Sequence, residues 1–263
     1  MSVSTFQQRA TTKKGLLALA LVSCQAMAFQ PLITDDAGTQ GAGGNQIEVS
    51  FTGERTKFES SVENQDSLPV VYTRGLTETL DVFVSAVPAR VHRDGDTASG
   101  MGNTSVGAKW RFFEEGDTSL ALKPEVFFPV SAGRENAGLG TGKASGALTF
   151  IASQDLSFGS VHFNASVGRQ RFRDTTASPD ATAYKFSLAP VWDVCEQWKL
   201  ALDLGVESAH AAGQTVNTKF AEIGAIYSPG KDIDLAFGVI RKNDNESPRS
   251  TTDSVTVATT FRF

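Results

Sequence analysis

The chain has 263 residues, enough for one large domain or two small ones, and carries 24 basic against 29 acidic side chains for a net charge of −5. That balance argues against nucleic acid as a partner. No stretch approaches the ~20 consecutive apolar residues of a spanning helix, so if the chain crosses a membrane it must do so as a closed barrel, where every backbone group is paired.

The first 28 residues read as an export signal. Arg9, Lys13 and Lys14 form a basic start, Leu16 to Val22 an apolar stretch, and Ala26-Met27-Ala28 a small-residue cleavage site. Cleavage after Ala28 removes three basic and no acidic residues, which makes the mature chain more acidic still. A rival signal overlaps this one: Leu21-Val22-Ser23-Cys24 resembles a lipobox, which would make Cys24 a lipidated N-terminus. Cys195 is the other cysteine; after cleavage it has no partner for a disulfide, and it falls in an expected turn.

Residues 29–44, F-Q-P-L-I-T-D-D-A-G-T-Q-G-A-G-G, are rich in glycine and aspartate and read as irregular. From residue 45 to 263 the chain settles into alternation of apolar and polar side chains, the period of a strand with two unlike faces. Twelve strands are expected: Gln46–Phe58, Leu68–Arg74, Leu80–Val91, Asn103–Phe113, Ser119–Val130, Lys143–Ala152, Ser160–Arg171, Ala183–Val191, Trp198–Glu207, Thr218–Tyr227, Ile233–Arg241 and Ser254–Phe263. Connections at Gly75–Thr79, Glu114–Thr118, Ser153–Ser157, Asp193–Gln197 and Pro229–Asp232 are short. Those at Glu59–Ser67, His92–Gly102, Ser131–Gly142, Arg173–Thr182, Ser208–Asn217 and Lys242–Thr251 are longer and polar. Long and short in strict alternation is the signature of an up-and-down transmembrane β-barrel with both termini periplasmic.

The last strand carries the same message. Val255, Val257, Phe261 and Phe263 share one face opposite Ser254, Thr256, Thr260 and Arg262. An amphipathic strand ending on an aromatic residue fits a barrel-closing strand that meets lipid and the barrel-assembly machinery; an edge strand of a soluble sandwich is the alternative. Lys109, Arg111, Lys123, Glu125, Lys185, Asp203 and Glu222 all fall opposite the apolar faces. A Lys or Arg on a lipid face costs roughly 2–4 kcal/mol at mid-bilayer, so these residues are expected to line a wet lumen. There they form either a constriction that selects solutes or a salt-bridge ladder between strands.

Residues 31–41, Pro31-Leu32-Ile33-Thr34-Asp35-Asp36-Ala37-Gly38-Thr39-Gln40-Gly41, resemble the opening motif of the bacterial family labelled "MetA-pathway of phenol degradation". The resemblance continues through Gln46-Ile47-Glu48 and Gly75-Leu76-Thr77-Glu78-Thr79-Leu80-Asp81. It implies an outer-membrane barrel that passes aromatic or other poorly soluble compounds, and it brings no catalytic residues. On the residues themselves, 29–44 is expected to fold into the periplasmic mouth as a plug, with Asp35 and Asp36 pairing with Lys109, Arg111 or Lys123; a solvated turn is the alternative.

Other features carry less. His162, Asn164 and Ser166 share one strand face, but no G-x-S-x-G accompanies them, and His92 and His210 fall in expected loops. No metal, nucleotide or other cofactor motif occurs, and no catalytic residue is assigned. Arg169, Arg171, Arg173, Arg241, Lys242 and Arg249 lie near outer strand ends or in loops, where they meet lipopolysaccharide phosphates or form ordinary surface charge. The expected function is passive outer-membrane transport of small solutes, aromatic or hydrophobic ones among them. A closed structural or surface-interaction barrel is the alternative, and an outer-membrane lipid-modifying enzyme using His162 the third reading.

Overall fold

A computed structural model describes residues 30–59, 61–176, 178–246 and 249–263. The expected leader, with Cys24 and the cleavage site, lies outside the described residues. The described residues fold into fifteen strands and one short helix: β1 (Asn45–Lys57), β2 (Val62–Ser67), β3 (Val70–Thr77), β4 (Leu80–Ala86), β5 (Pro88–Arg93), β6 (Asp96–Met101), β7 (Ser105–Glu115), β8 (Thr118–Phe127), α1 (Ala132–Asn136), β9 (Ser145–Leu156), β10 (Gly159–Gln170), β11 (Ala181–Cys195), β12 (Trp198–Ala211), β13 (Gln214–Gly230), β14 (Ile233–Asp244) and β15 (Thr251–Arg262).

Twelve of the strands close a barrel in the order β1-β3-β4-β7-β8-β9-β10-β11-β12-β13-β14-β15, and β15 pairs back onto β1 from Gln46↔Arg262 to Lys57↔Thr251. All pairings are antiparallel. The seam is completed by Asn45 and Phe263, which exchange two backbone hydrogen bonds of 3.0 Å. Closure leaves no unpaired edge to the barrel wall, the condition for spanning hydrocarbon.

The three remaining strands correct the expected loops. β2, β5 and β6 pair in the order β1-β2-β5-β6 above the wall strands β3, β4 and β7. Most of the residues expected as loops at 59–67 and 92–102 are therefore hairpin arms, Val62–Ser67, the end of Pro88–Arg93 and Asp96–Met101, that prolong the wall beyond the apolar band. Residues 208–217 are likewise strand on both sides of a turn at Ala212-Gly213. Alternation of polarity marks a strand only where one face meets lipid; hairpins that stand in water have no such need. His92 and His210 consequently sit on strands, each bonded to a threonine two or three positions beyond the turn: His92 to Thr97 and His210 to Thr215. Residues 131–142 do connect two strands, but they contain α1. Cys195 ends β11 opposite Trp198 of β12, with its thiol free and exposed.

The molecule is inverted relative to a water-soluble fold. Its outward faces carry Phe51, Trp110, Phe128, Phe186, Leu204, Ile223, Phe237 and Val257, with Ile223 69% exposed. Its inward faces carry Glu48, Asp81, Lys109, Lys123, Glu125, Asp203 and Glu222, all buried. Val255, Val257, Phe261 and Phe263 point outward at the seam, as the alternation requires. At the short-turn end Trp198 meets Tyr227 at 4.8 Å between ring centroids, and Phe158 lies 6.3 Å from Trp192. These pairs form part of an aromatic girdle, where rings with an apolar body and a polar edge favour the interface.

Candidate functional site: the crossed lumen

The segment before β1 enters the barrel and crosses its bore. It begins against β11 to β14. Gly224 and Gly238 face each other across the β13–β14 pair. A Cβ on either would stand 3.0 Å from the Pro31 ring, so the bare glycines form the flat seat on which Pro31 rests. Leu32 is buried with Ala189, Val191 and Ala201. Thr34 then anchors to the wall: its amide donates to Asp203 Oδ2 at 2.7 Å, and its hydroxyl lies 2.7 Å from both Asp203 Oδ1 and Ser187 Oγ. Glu222 lies beside Asp203 in the β12–β13 register, fully buried and with no hydrogen bond to either carboxylate oxygen among the described residues.

At Asp35 the chain reaches the opposite wall. Its two carboxylate oxygens take one lysine each, Lys109 Nζ at 3.0 Å and Lys123 Nζ at 2.6 Å. Lys109 also donates to the Asp36 carbonyl at 3.1 Å. The Asn164 amide, in the orientation its neighbours require, accepts from Asp35 N at 2.8 Å and donates to Asp35 O at 2.9 Å. Burial alone would raise the Asp35 carboxyl, but Lys109 and Lys123 outweigh it and hold the group below its ordinary value of 3.8. Beyond Asp35, Ala37 N donates to Ser153 Oγ at 2.9 Å. His162 steadies that serine from behind: its Nδ1 is 2.9 Å from Ser153 Oγ and its Nε2 is 2.9 Å from Ser160 Oγ. The segment leaves along the short-turn end, where Gln40 N donates to Asp81, and Gly43 and Gly44 pair with Gly75.

A cavity lies on each side of the crossing segment. The one toward the long-loop end, about 140 Å³, is lined by Ile33, Lys123, Glu125, Lys185, Glu207 and Phe220 among others. The one toward the short-turn end, about 190 Å³, is lined by Asp36, Gln46, Glu48, Asp81, Phe83 and Lys109 among others. Lys123 borders both, so the Asp35 ion pairs belong to the partition between them.

The expected lumen residues therefore separate into groups. Lys109 and Lys123 meet on Asp35. Glu125, bonded by Ser105 Oγ at 2.5 Å, and Lys185 line the long-loop cavity. Asp203 and Glu222 face the first residues of the segment from the other wall. Arg111 stands apart at the short-turn rim, where it bonds Glu78 O at 3.0 Å and Glu114 at 3.1 Å. Asp36 makes no lysine pair; its carboxylate accepts Gly38 N at 2.6 Å. Ser187 and Ser153 carry no signal in the sequence beyond an inward parity; Thr34 and Asp81 stand there only within the family motif, and Asn164 only beside His162 and Ser166. Asn164 and His162 hold the crossing segment, and Ser166 bonds Thr149 at 2.8 Å. Lys242 points inward onto Glu54 at 3.3 Å, which corrects its placement toward lipid headgroups.

The family model described as "MetA-pathway of phenol degradation" matches residues 30–259. The chain belongs to this family. Its fold is similar to that of an outer membrane channel from Pseudomonas putida F1, at 15% identity and a TM-score of 0.70, covering 87% of this chain and 98% of that one. It is also similar to the translocator domain of the autotransporter NalP from Neisseria meningitidis, at 11% identity, TM-score 0.56 and coverage of 84% and 89%. The NanC porin aligns at 9% identity, TM-score 0.51 and coverage of 81% and 98%. No curated protein sequence matches the chain. These likenesses establish the fold as that of an outer-membrane β-barrel.

Proposed function

We propose that this barrel is a passive outer-membrane channel for small solutes, aromatic or hydrophobic ones among them. One observation carries the reading: a cavity on each side of a thin partition, formed by a segment that ion pairs and hydrogen bonds hold at its centre and small apolar contacts at Pro31, Leu32 and Ala37. Each cavity is on the scale of the ~150 Å³ space that accommodates benzene. The family's link to phenol degradation points to the same solute class. Lys185, Glu125 and Glu207 set the polarity of the long-loop cavity, so the solute favoured there carries a polar group beside its apolar body.

In this reading residues 1–28 are an export signal cleaved after Ala28, the short-turn end is periplasmic, and the long-loop end faces the medium. Residues 29–44 are the plug. The aromatic C-terminus at Phe261 and Phe263 engages the barrel-assembly machinery, and the finished protein sits among outer-membrane lipid and lipopolysaccharide. No step in this function requires catalysis or a cofactor.

Liposome swelling and single-channel conductance of the refolded mature chain, with phenolic and hydrophilic solutes of similar size, test the proposal. Passage of at least one solute is expected. The crossed bore favours one rival, a closed structural barrel; the complete absence of swelling and conductance would establish that rival instead.

A further inference from the structure

The outward face at the long-loop end of β13, β14, β15 and β1 has a charge opposite to that of the whole chain. Two rows of outward side chains follow from the register. The lower row is Ala221, Arg241, Asp253 and Arg55; the upper is Lys219, Asn243, Thr251 and Lys57. Four cations on β13, β14 and β1 thus flank Asp253 of β15, which Arg241 Nε approaches to 2.6 Å; a second outward carboxylate, Asp66 of β2, lies at the edge of the patch, level with Gly53. Arg55 and Lys57 also bear on that carboxylate. The chain as a whole is net negative.

Position gives the patch its meaning. The next outward row toward the short-turn end is Ile223, Val239, Val255 and Gly53, and the one after it holds Phe237, Val257 and Phe51, all exposed. Along a strand, two residues advance roughly 7 Å, so the cations stand immediately beyond the apolar band, at headgroup depth. Strands lie about 4.8 Å apart, which spreads the four cations over roughly 15 Å. Elsewhere at this height the face differs. Outward residues on β11 and β12 are Thr182, Ser208 and His210, and on β10 Arg169 and the following Arg171 lie 3.8 and 3.9 Å from Asp180.

We propose that Arg55, Lys57, Lys219 and Arg241 form a binding site for the phosphorylated sugar headgroup of an outer-leaflet glycolipid, lipopolysaccharide. Arginine forks grip phosphate oxygens in pairs, and lysines add point charge. The acyl chains of such a lipid descend over Val239, Val255, Phe237 and Phe51. The site rests on the orientation proposed above, with the long loops outside.

The test uses the full mature chain refolded in detergent and titrated with lipopolysaccharide. Arg55→Gln, Lys57→Gln, Lys219→Gln and Arg241→Gln together should weaken binding by about tenfold or more, since each basic residue near an anionic surface contributes several-fold. Enzymatic removal of the lipid A phosphates should weaken binding to the unaltered protein similarly, and Arg169→Gln with Arg171→Gln should not. Equal affinity of the fourfold variant, indifference to dephosphorylation, or displacement by low-millimolar inorganic phosphate would overturn the site. Asp253→Asn removes the opposing charge at the centre of the patch and should tighten binding, a gain that impaired folding cannot mimic; no gain also counts against it. Orientation is read separately, by labelling Ala212→Cys in a Cys195→Ser background on whole cells with an impermeant maleimide. Failure there would reverse the orientation without touching the binding result.

Discussion

Asp35 holds two buried lysines, and its removal leaves both without their counter-charge. Breaking a buried pair from one side costs roughly 3–5 kcal/mol, because the remaining charges stay desolvated. Asp35→Asn is therefore expected to loosen the segment and raise single-channel conductance, whereas Asp36→Asn, which leaves both lysine pairs intact, should change little. The pH dependence follows from the depressed Asp35 carboxyl. A lowered folded value contributes stability above the unfolded pKa and loses it only as pH falls through the folded one. Conductance attributable to this ion pair should stay flat from pH 7 to pH 5 and rise only below about pH 4, near the carboxylate reference; a rise between pH 6 and 7 would assign gating to another group. The pairing of Asp35 with Lys109 and Lys123 was legible in sequence because strand parity puts both lysines inside. The exclusion of Arg111 was not. Parity fixes the face of a side chain but not its height, and two residues beyond Lys109, roughly 7 Å along β7, carry Arg111 to the rim.

Among the elements, residues 30–44 and the glycine seat belong together. Deleting residues 29–44 should increase conductance several-fold while the barrel still shows heat-modifiable migration on gels; unchanged conductance would refute a plug. Gly224→Val places carbon where Pro31 and Leu32 lie, at 3.0 and 3.2 Å from the new Cβ. It should reproduce part of the deletion phenotype without unfolding the wall, measured by the same conductance assay. The segment's irregularity could be read from its glycines and aspartates, and its link to lumen lysines from charge. Its far contacts could not. Thr34 reaches Asp203 across 169 positions of sequence, and nothing local to either residue signals the other. The polar hairpin arms β2, β5 and β6 were hidden for a related reason: a strand wet on both faces has no alternation to detect.

For the whole molecule, a large apolar exterior governs behaviour. Stripped of detergent or lipid, the mature chain is expected to aggregate, and in cells it should fractionate with outer membranes; recovery as a soluble periplasmic protein would contradict the fold's use. Shortening the seam by removing Phe263 deletes its two backbone hydrogen bonds with Asn45 and the one from the Asn45 side chain, and should slow insertion, followed as the fraction of heat-modifiable barrel over time. The strand count and the inside-outside partition came directly from periodicity, because a lipid-facing wall imposes its polarity on every strand alike.

The order of the chain also dictates an order of events. The crossing segment is synthesised first, yet its anchors at Asp203 and Gly224 lie on strands made near the end, and its seat does not exist until β13 and β14 have paired. Contacts this distant are slow to form. A newly inserted copy is therefore expected to conduct more freely until the segment docks, so the conductance of a freshly refolding population should fall to the steady value of the finished channel.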